Sequence, residues 1–326
     1  MQAAALEQTL RDQPDDLAAW RAYGEWLQER GDVRGELIGL EQRHARTRPA
    51  DRDGLEDQIA ALVAEHQKSW DAALPPEVTV LARRHGFATK VAVQWSDDAP
   101  VVIEKVLRAP FVTGLRIGPT PEMDDDDDYG NYDDEDLYRG RKVDVSQHPQ
   151  HPLVDAGALA TLSLSRLTEL DLSYLRIGAL GAQALAVSAY FRAQASDAIT
   201  LTPPAPPAPP GRIEELDLRY CFVGDSGLAA LATSPCFAGV RRLHLQSNAL
   251  TAAGMRSLHA FGHLEELDLR YNEIGPKGAR ALLAAPFAGS LRRLLLYRVD
   301  VSNSGVKLLA SASHLPPALR SYWRSV

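Results

Sequence analysis

The sequence predicts an α/β chain: strand-helix units stacked into a solenoid with a parallel sheet on its concave face, preceded by a small all-α module. Two observations predict it. One pattern, L-x-x-L-x-L-x-x-(N/C/L/V)-x-(I/V/L)-x-x-x-G-x-x-x-L with Ile or Val also at its first position, starts at Leu167, Ile213, Val240, Leu264 and Leu291. It runs without a gap in all five places. Before it, the N-terminal stretch up to Pro75 follows a different, helical spacing.

Each position of the unit has a physical reason. Leu216 and Leu218 alternate with Asp217, a period of two that turns the leucines inward along a short strand. Cys221, Asn248 and Asn272 hold the ninth position, where a small or amide side chain can pair with backbone left over at the strand end. The twelfth position reads Gly178, Gly224, Thr251, Gly275 and Ser302, all suited to capping a helix N-terminus. Pro276 follows at the first helical position, where its missing N–H costs nothing. Gly181, Gly227, Gly254, Gly278 and Gly305 are expected to let the helix approach the strand backbone. These matches resemble the leucine-rich repeat of the ribonuclease-inhibitor type. The resemblance implies one strand and one helix per unit, and units that bury their apolar face only by stacking.

Two places break the rhythm. The starts at Ile213, Val240, Leu264 and Leu291 follow one another by a single unit each, but the step from Leu167 to Ile213 is too long for one. The excess holds FRAQASDAITLTPPAPPAPPGR, whose prolines cannot continue a helix, so residues 200–211 read as a Pro-rich insertion. Leu319 follows Leu291 by one more unit, so LRSYWRSV reads as a truncated sixth strand, with Tyr322 and Trp323 covering the last leucines. Upstream, Val112, Leu115 and Ile117 read as the strand of a degenerate first repeat, within a transition over 75–120. The repeat region proper spans 151–326.

In the N-terminal module, 1–74, Leu17, Trp20, Tyr23 and Leu27, then Leu55, Ile59, Leu62, His66 and Trp70, recur at helical spacing. Pro14 and Gly31-Asp32 divide about four helices. PDDLAAWRAYGEWLQERGDVRGELIGLEQ resembles the repeat-companion domain that precedes leucine-rich repeats in bacteria. Tyr23, Trp26, Leu27, Glu29, Arg30, Gly31, Asp32, Arg34, Gly35, Glu36 and Ile38 fall on that family's pattern, while Gly24 and Glu25 replace its Ala-Asp. The resemblance implies architecture and no chemistry. Trp20, Tyr23 and Trp26 are expected in the core of a helical cap.

Composition predicts a soluble, cytoplasmic protein. The chain has 326 residues, 45% of them hydrophobic, with no cationic apolar leader and no long apolar run. Two cysteines, Cys221 and Cys236, make no disulfide framework. The net charge of -8 is unevenly spread. Ten acidic and no basic residues lie between Glu122 and Asp136, so 121–150 reads as a solvated acidic insertion. Setting Gly130 on the glycine of a calcium-binding loop would place Asp125, Asp127 and Asp136 as ligands, but Tyr129 takes the place of a third. His148 and His151 follow in a Pro-broken segment and read as surface residues. No phosphate-cradling, zinc-binding or nucleophile-elbow motif is present, so no enzyme, cofactor or metal is expected.

What remains is a surface. With the leucines inward, register names the residues that face the concave side. Candidate partner-binding residues are Tyr174; Asp217, Arg219 and Tyr220; Arg242 and His244; Asp268, Arg270 and Tyr271; and Arg293, Tyr297 and Arg298. Tyr and Arg are enriched at interface hot spots, although Asp and Arg on neighbouring strands also simply pair. The favoured reading is a non-catalytic binder of a protein partner, in a scaffold, inhibitor or immunity-like role. The other is a nucleic-acid binder using the Arg and Tyr columns as stacking platforms. Glu169, Asp171, Glu215, Asp217, Glu266 and Asp268 share the face and would repel phosphates. No membrane contact or small-molecule substrate is expected.

Overall fold

The computed structural model describes residues 2–119, 154–162, 164–195 and 212–325. The acidic insertion with its calcium reading, the two histidines after it and the Pro-rich insertion lie outside these residues. The chain forms two compact units, Met1–Val93 with Val101–Gly114, and Gln94–Pro100 with Leu115–Val326.

The first unit opens with four helices, α1 (Gln2–Asp12), α2 (Leu17–Gln28), α3 (Arg34–Arg46) and α4 (Asp53–Asp71). Asp16 starts α2 by accepting from Ala18 N at 2.9 Å and Ala19 N at 3.0 Å, which satisfies two orphan donors of its first turn. Helices α2 and α3 cross where Gly35 meets Gly24: a Cβ on Gly35 would stand 2.4 Å from the Gly24 carbonyl. Leu17, the first residue of α2, is 55% exposed. Up to Asp71 the described elements are all helical, as expected, and the compact unit extends beyond them. Strands β1 (Val78–Arg84) and β2 (Phe87–Gln94) pair antiparallel, and most of α5 (Ala99–Val106) also belongs to it. His85 (φ 53) and Gly86 (φ 79) form the two-residue hairpin turn, both left-handed as a type I′ turn requires. The core is aromatic. Phe111 lies 5.1, 5.6 and 4.9 Å from the rings of Trp20, Tyr23 and Phe87, and Trp20 donates to Pro14 O at 2.7 Å.

The residues that carry the N-terminal resemblance hold this unit together. Tyr23, Leu27 and Ile38 are in its core, with Trp26 packed against it. Arg34 bonds Asp32 through both Nε and Nη2 and lies 4.2 Å over the Phe87 ring. Burial works against the Asp32 charge, but its bonds from Arg34 outweigh that and lower its pKa.

In the second unit, β3 (Gly114–Gly118) precedes α6 (Ala156–Ala160) and then the five repeats. Of the degenerate strand expected at Val112, Leu115 and Ile117, the last two lie in β3 and Val112 stands before it, all three fully buried. The repeats give β4 (Glu169–Asp171), β5 (Glu215–Asp217), β6 (Arg242–His244), β7 (Glu266–Asp268) and β8 (Arg293–Leu295). Strand order from β3 to β8 is sequential, and β4 to β8 are parallel and in strict register. Helices α7 (Gly178–Ala195), α8 (Gly224–Thr233), α9 (Gly254–Ser257), α10 (Gly275–Leu283) and α11 (Arg298–Ser311) follow their strands. The unit starting at Val240 is shorter than its neighbours and has room only for the single-turn α9 and one 3-10 turn before Leu264 opens the next.

Three expectations about the unit are corrected. The twelfth position caps through a side chain at Thr251, whose Oγ1 accepts from Ala253 N at 3.2 Å, but Gly178, Gly224, Gly275 and Ser302 have φ of 66, 62, 61 and 63, so there its demand is left-handed backbone. The later glycine clears side chains, not strand backbone. A Cβ on Gly278 would stand 2.1 Å from Ile274 of its own repeat and 3.2 Å from Met255 of the preceding one. The segment from Leu319 is not a sixth strand but lies in α12 (Pro317–Ser325). Pro317 opens that helix, and Leu319 and Trp323, one turn apart, are both buried.

The ninth position behaves as expected and builds a ladder. Asn272 Nδ2 donates to Leu245 O and Leu269 O at 2.9 Å each, and its Oδ1 accepts from Asn248 N and Leu250 N. Asn248 repeats this one unit back, donating to Leu218 O at 2.7 Å and accepting from Val223 N at 3.0 Å. Cys221 Sγ reaches Leu172 O at 2.9 Å, and burial pushes its thiol pKa up. In the last repeat Val299 occupies the ninth position but is 59% exposed. Asp300 turns in instead, accepting from Tyr297 N at 2.6 Å and from the backbone of Asn272 and Tyr271. Burial pushes the Asp300 carboxyl up to about 7.

Candidate protein-binding surface

The site residues stand where strands end and turns begin, on the sheet face opposite the leucines. Those leucines are fixed: Leu170, Leu172, Leu216, Leu218, Leu243, Leu245, Leu267 and Leu269 are at most 1% exposed. Alternation then turns Glu169, Glu215, Arg242, Glu266 and Arg293 to the other face as one column. Asp171, Asp217, His244, Asp268 and Leu295 form the next.

The aspartates of the second column do local work. Asp217 Oδ1 accepts from Arg219 N at 3.0 Å, and Asp268 Oδ1 from Arg270 N at 3.1 Å, each closing the turn after its strand. The same carboxylates hold the arginine side chains at 2.6 and 2.7 Å. Asp217 and Asp268 are therefore buried, at 7% and 2% exposure, and act as braces for Arg219 and Arg270. Those bonds raise both arginine pKa values, so both guanidinium groups keep their charge. His244 stands between the two aspartates in register.

Beyond the aspartates the chain turns through a left-handed residue. Tyr174, Tyr220 and Tyr271 have φ of 67, 57 and 59, and Ser247 has 54 in the equivalent place. A bulky side chain is costly there, and three of four such positions carry Tyr. The turn aims the rings along the sheet, so that tyrosines of neighbouring units touch. Tyr174 and Tyr220 stack with centroids 4.8 Å apart and planes 11° from parallel. Tyr271 meets Tyr297 edge-on at 4.9 Å, with Arg270 5.9 Å above the Tyr297 ring. Gln246 joins the two pairs: its Nε2 donates to Tyr220 Oη at 2.7 Å and its Oε1 accepts from Arg270 at 3.3 Å. Burial raises the Tyr220 pKa, with Tyr174 adding to it, so its hydroxyl stays protonated.

Eleven of the twelve expected residues thus lie on or just beyond the parallel strands. Arg298 does not: it is the first residue of α11, because the last repeat enters its helix one turn ahead of its twelfth position. Gln246, the bridge, was not among the candidates, although register places it between Arg219 and Arg270. Nor was Arg116, on β3, 3.7 Å from Asp171. The pair of columns at the strand starts carries charges that alternate from unit to unit between β5 and β8. Arg242 Nε holds Glu215 at 2.7 Å, and Arg241 and Arg292 reach Glu265 at 2.7 and 3.3 Å. Such exposed pairs are worth about 0–1 kcal/mol each, so a partner could exchange them at small cost.

Among the described residues no three His, Cys, Asp or Glu side chains gather into a metal-binding group, and no helix is long and apolar enough to cross a membrane. A family model described as Leucine Rich repeat matches residues 164–186, 213–232 and 263–283, the units that start at Leu167, Ile213 and Leu264. No curated protein matches the chain. The matched segments and the register shared by all five strands support a leucine-rich-repeat protein.

Proposed function

We propose that this chain is a non-catalytic binding protein that grips a protein partner with the concave face of a repeat solenoid. The observation that carries the reading is the row of four tyrosines, two stacked and two edge-on, with Arg270 over the Tyr297 ring and Gln246 bonded to both Tyr220 and Arg270. Rings held in place before binding lose little entropy on contact, and Tyr beside Arg is the composition of interface hot spots. Asp217 and Asp268 serve the partner indirectly, by positioning arginines. We read the N-terminal unit as a repeat-companion module of a bacterial, cytoplasmic protein whose repeats are of the ribonuclease-inhibitor type. A scaffold, inhibitor or immunity-like role suits such a surface.

The nucleic-acid reading finds less support, because Asp217 and Asp268 already neutralise Arg219 and Arg270, the arginines beside the tyrosines. The test is affinity capture followed by titration of the captured protein against wild type and a Tyr220→Asn/Tyr271→Asn variant. Asn tolerates the left-handed backbone, so the variant should fold. Loss of about 2 kcal/mol in binding, with an unchanged circular dichroism spectrum, is the expected result. Unchanged affinity moves the interface off this face, and a gel shift that weakens steeply with salt would establish the nucleic-acid reading instead.

A further inference from the structure

We infer that the free edge of β8 accepts an extended acidic segment of the partner protein as an additional strand. This deepens the proposed function and rests on its reading of a protein partner. Three observations carry it. First, β8 is the last strand in the order, so among the described residues it is paired only with β7. The later segment that the unit spacing would have made the next strand is the helix α12, packed against α11. A strand paired on one side leaves a row of backbone donors and acceptors unmatched, a ready template for another strand.

Second, the charges on that edge specify what can pair. At the second position of each unit the residues run Glu214, Arg241, Glu265, Arg292, and at the third Glu215, Arg242, Glu266, Arg293. Glu and Arg alternate across every strand boundary from β5 to β8, and the register sets Glu215 beside Arg242, Arg242 beside Glu266 and Glu266 beside Arg293. Both columns end on arginine. The Arg292 side chain is 78% exposed and Arg293 is exposed. The alternation is completed by a strand with acidic residues at two adjacent positions, as β5 and β7 have in Glu214-Glu215 and Glu265-Glu266.

Third, the same edge discriminates against a second copy of the chain. Two β8 edges meeting about a two-fold axis run antiparallel, and centred on Leu294 they set Arg293 opposite Leu295, so neither arginine column gains an acidic neighbour. Tyr297 and the exposed Arg298 follow β8 directly, so an acidic segment on this edge continues the tyrosine row of the proposed face.

The experiment titrates full-length protein with three synthetic peptides by isothermal calorimetry. They are Leu-Glu-Glu-Leu-Asp-Leu-Arg-Tyr, which copies residues 264–271, its Lys-Lys counterpart, and a version with Pro in place of its fifth residue, whose N–H faces the preceding strand in this register, to remove a ladder N–H. Expected is binding of the Glu-Glu peptide at least tenfold tighter than either other, with slowed amide exchange over 294–296. An Arg292→Glu/Arg293→Glu variant should weaken the Glu-Glu peptide at least tenfold. No binding, equal binding of the Glu and Lys peptides, or indifference to the arginine variant overturns the edge proposal. Loss of the partner in the tyrosine variant would still uphold the face, so the two readings fail separately. Sedimentation showing a dimer that the arginine variant dissolves also overturns it, in favour of a second copy.

Discussion

The two units solve the same packing problem in opposite ways. The N-terminal unit closes around one set of unlike aromatic contacts: Trp20, Tyr23, Phe87 and Phe111, drawn from a helix, a strand and a loop. The repeat unit buries the same aliphatic positions again and again, Leu216 beside Leu243 beside Leu267 beside Leu294. In the first, each contact occurs once and nothing nearby can substitute for it. In the second, each strand depends chiefly on its two neighbours, and the chain tolerates a shortened unit such as the one with α9. The difference teaches where damage should travel: through all of an irregular core, but along a repeat array only in steps.

The largest effect expected is from Trp20→Ala, which removes a ring 2% exposed that touches three other aromatic rings and His85. A loss of about 3–5 kcal/mol is expected, and urea unfolding should show the first unit lost as a whole. If only the hairpin loosened, the irregular core would not be one cooperative block. Leu269→Ala should cost about 2–5 kcal/mol, and hydrogen exchange should show β6 and β8 weakened before β4. Uniform loss across all five strands would mean that the array does not behave as coupled neighbours.

Asn272→Ala sharpens the comparison between aliphatic and polar columns. It orphans the Asn248 and Leu250 amides, at roughly 1–3 kcal/mol for each buried group left unpaired. Thermal melts should place it near Leu269→Ala. A cost well under that of one unpaired amide would show that water replaces the side chain.

Asp300, at the end of that ladder, makes stability depend on pH. Its folded pKa is raised from 3.8 to about 7, so the folded state holds a proton that the unfolded state has already released. That stability is fully present below 3.8 and is lost as pH rises through about 7, with a slope of at most about 1.4 kcal/mol per pH unit. Asp300→Asn keeps an oxygen for the Tyr297 amide and should flatten the profile between pH 4 and 7. An unchanged profile would locate the titration elsewhere. The smallest effect is expected from Arg242→Ala, at about 0–1 kcal/mol, because its partner Glu215 remains accessible to water.

Repetition made much of the second unit legible from sequence. The five strands, the inward leucines and the amide ladder all follow from offsets that recur, since a strand's alternation and a helix's turn leave the same trace each time. Recurrence also located the tyrosine positions. It failed where the chain stopped repeating. Val299 and Asp300 exchanged roles in the last unit, Arg298 entered a helix early, and the final segment became α12 because Pro317 and the spacing of Leu319 and Trp323 favour a helix over alternation.

The sequence by itself determined which residues lie on which face of each strand, because that depends only on a period of two along a local stretch of chain. Tertiary structure alone decided what those residues do. Asp217 and Asp268 proved to be buried braces because the turn brings Arg219 and Arg270 back onto them. Tyr174 and Tyr220 became a stacked pair because register sets neighbouring units side by side and left-handed turns point both rings the same way. The hairpin around His85 joined the N-terminal helices because Phe87 completes an aromatic cluster whose members are far apart in the chain. Contacts of that kind leave no period in a sequence, since they depend on distances that only the folded chain defines.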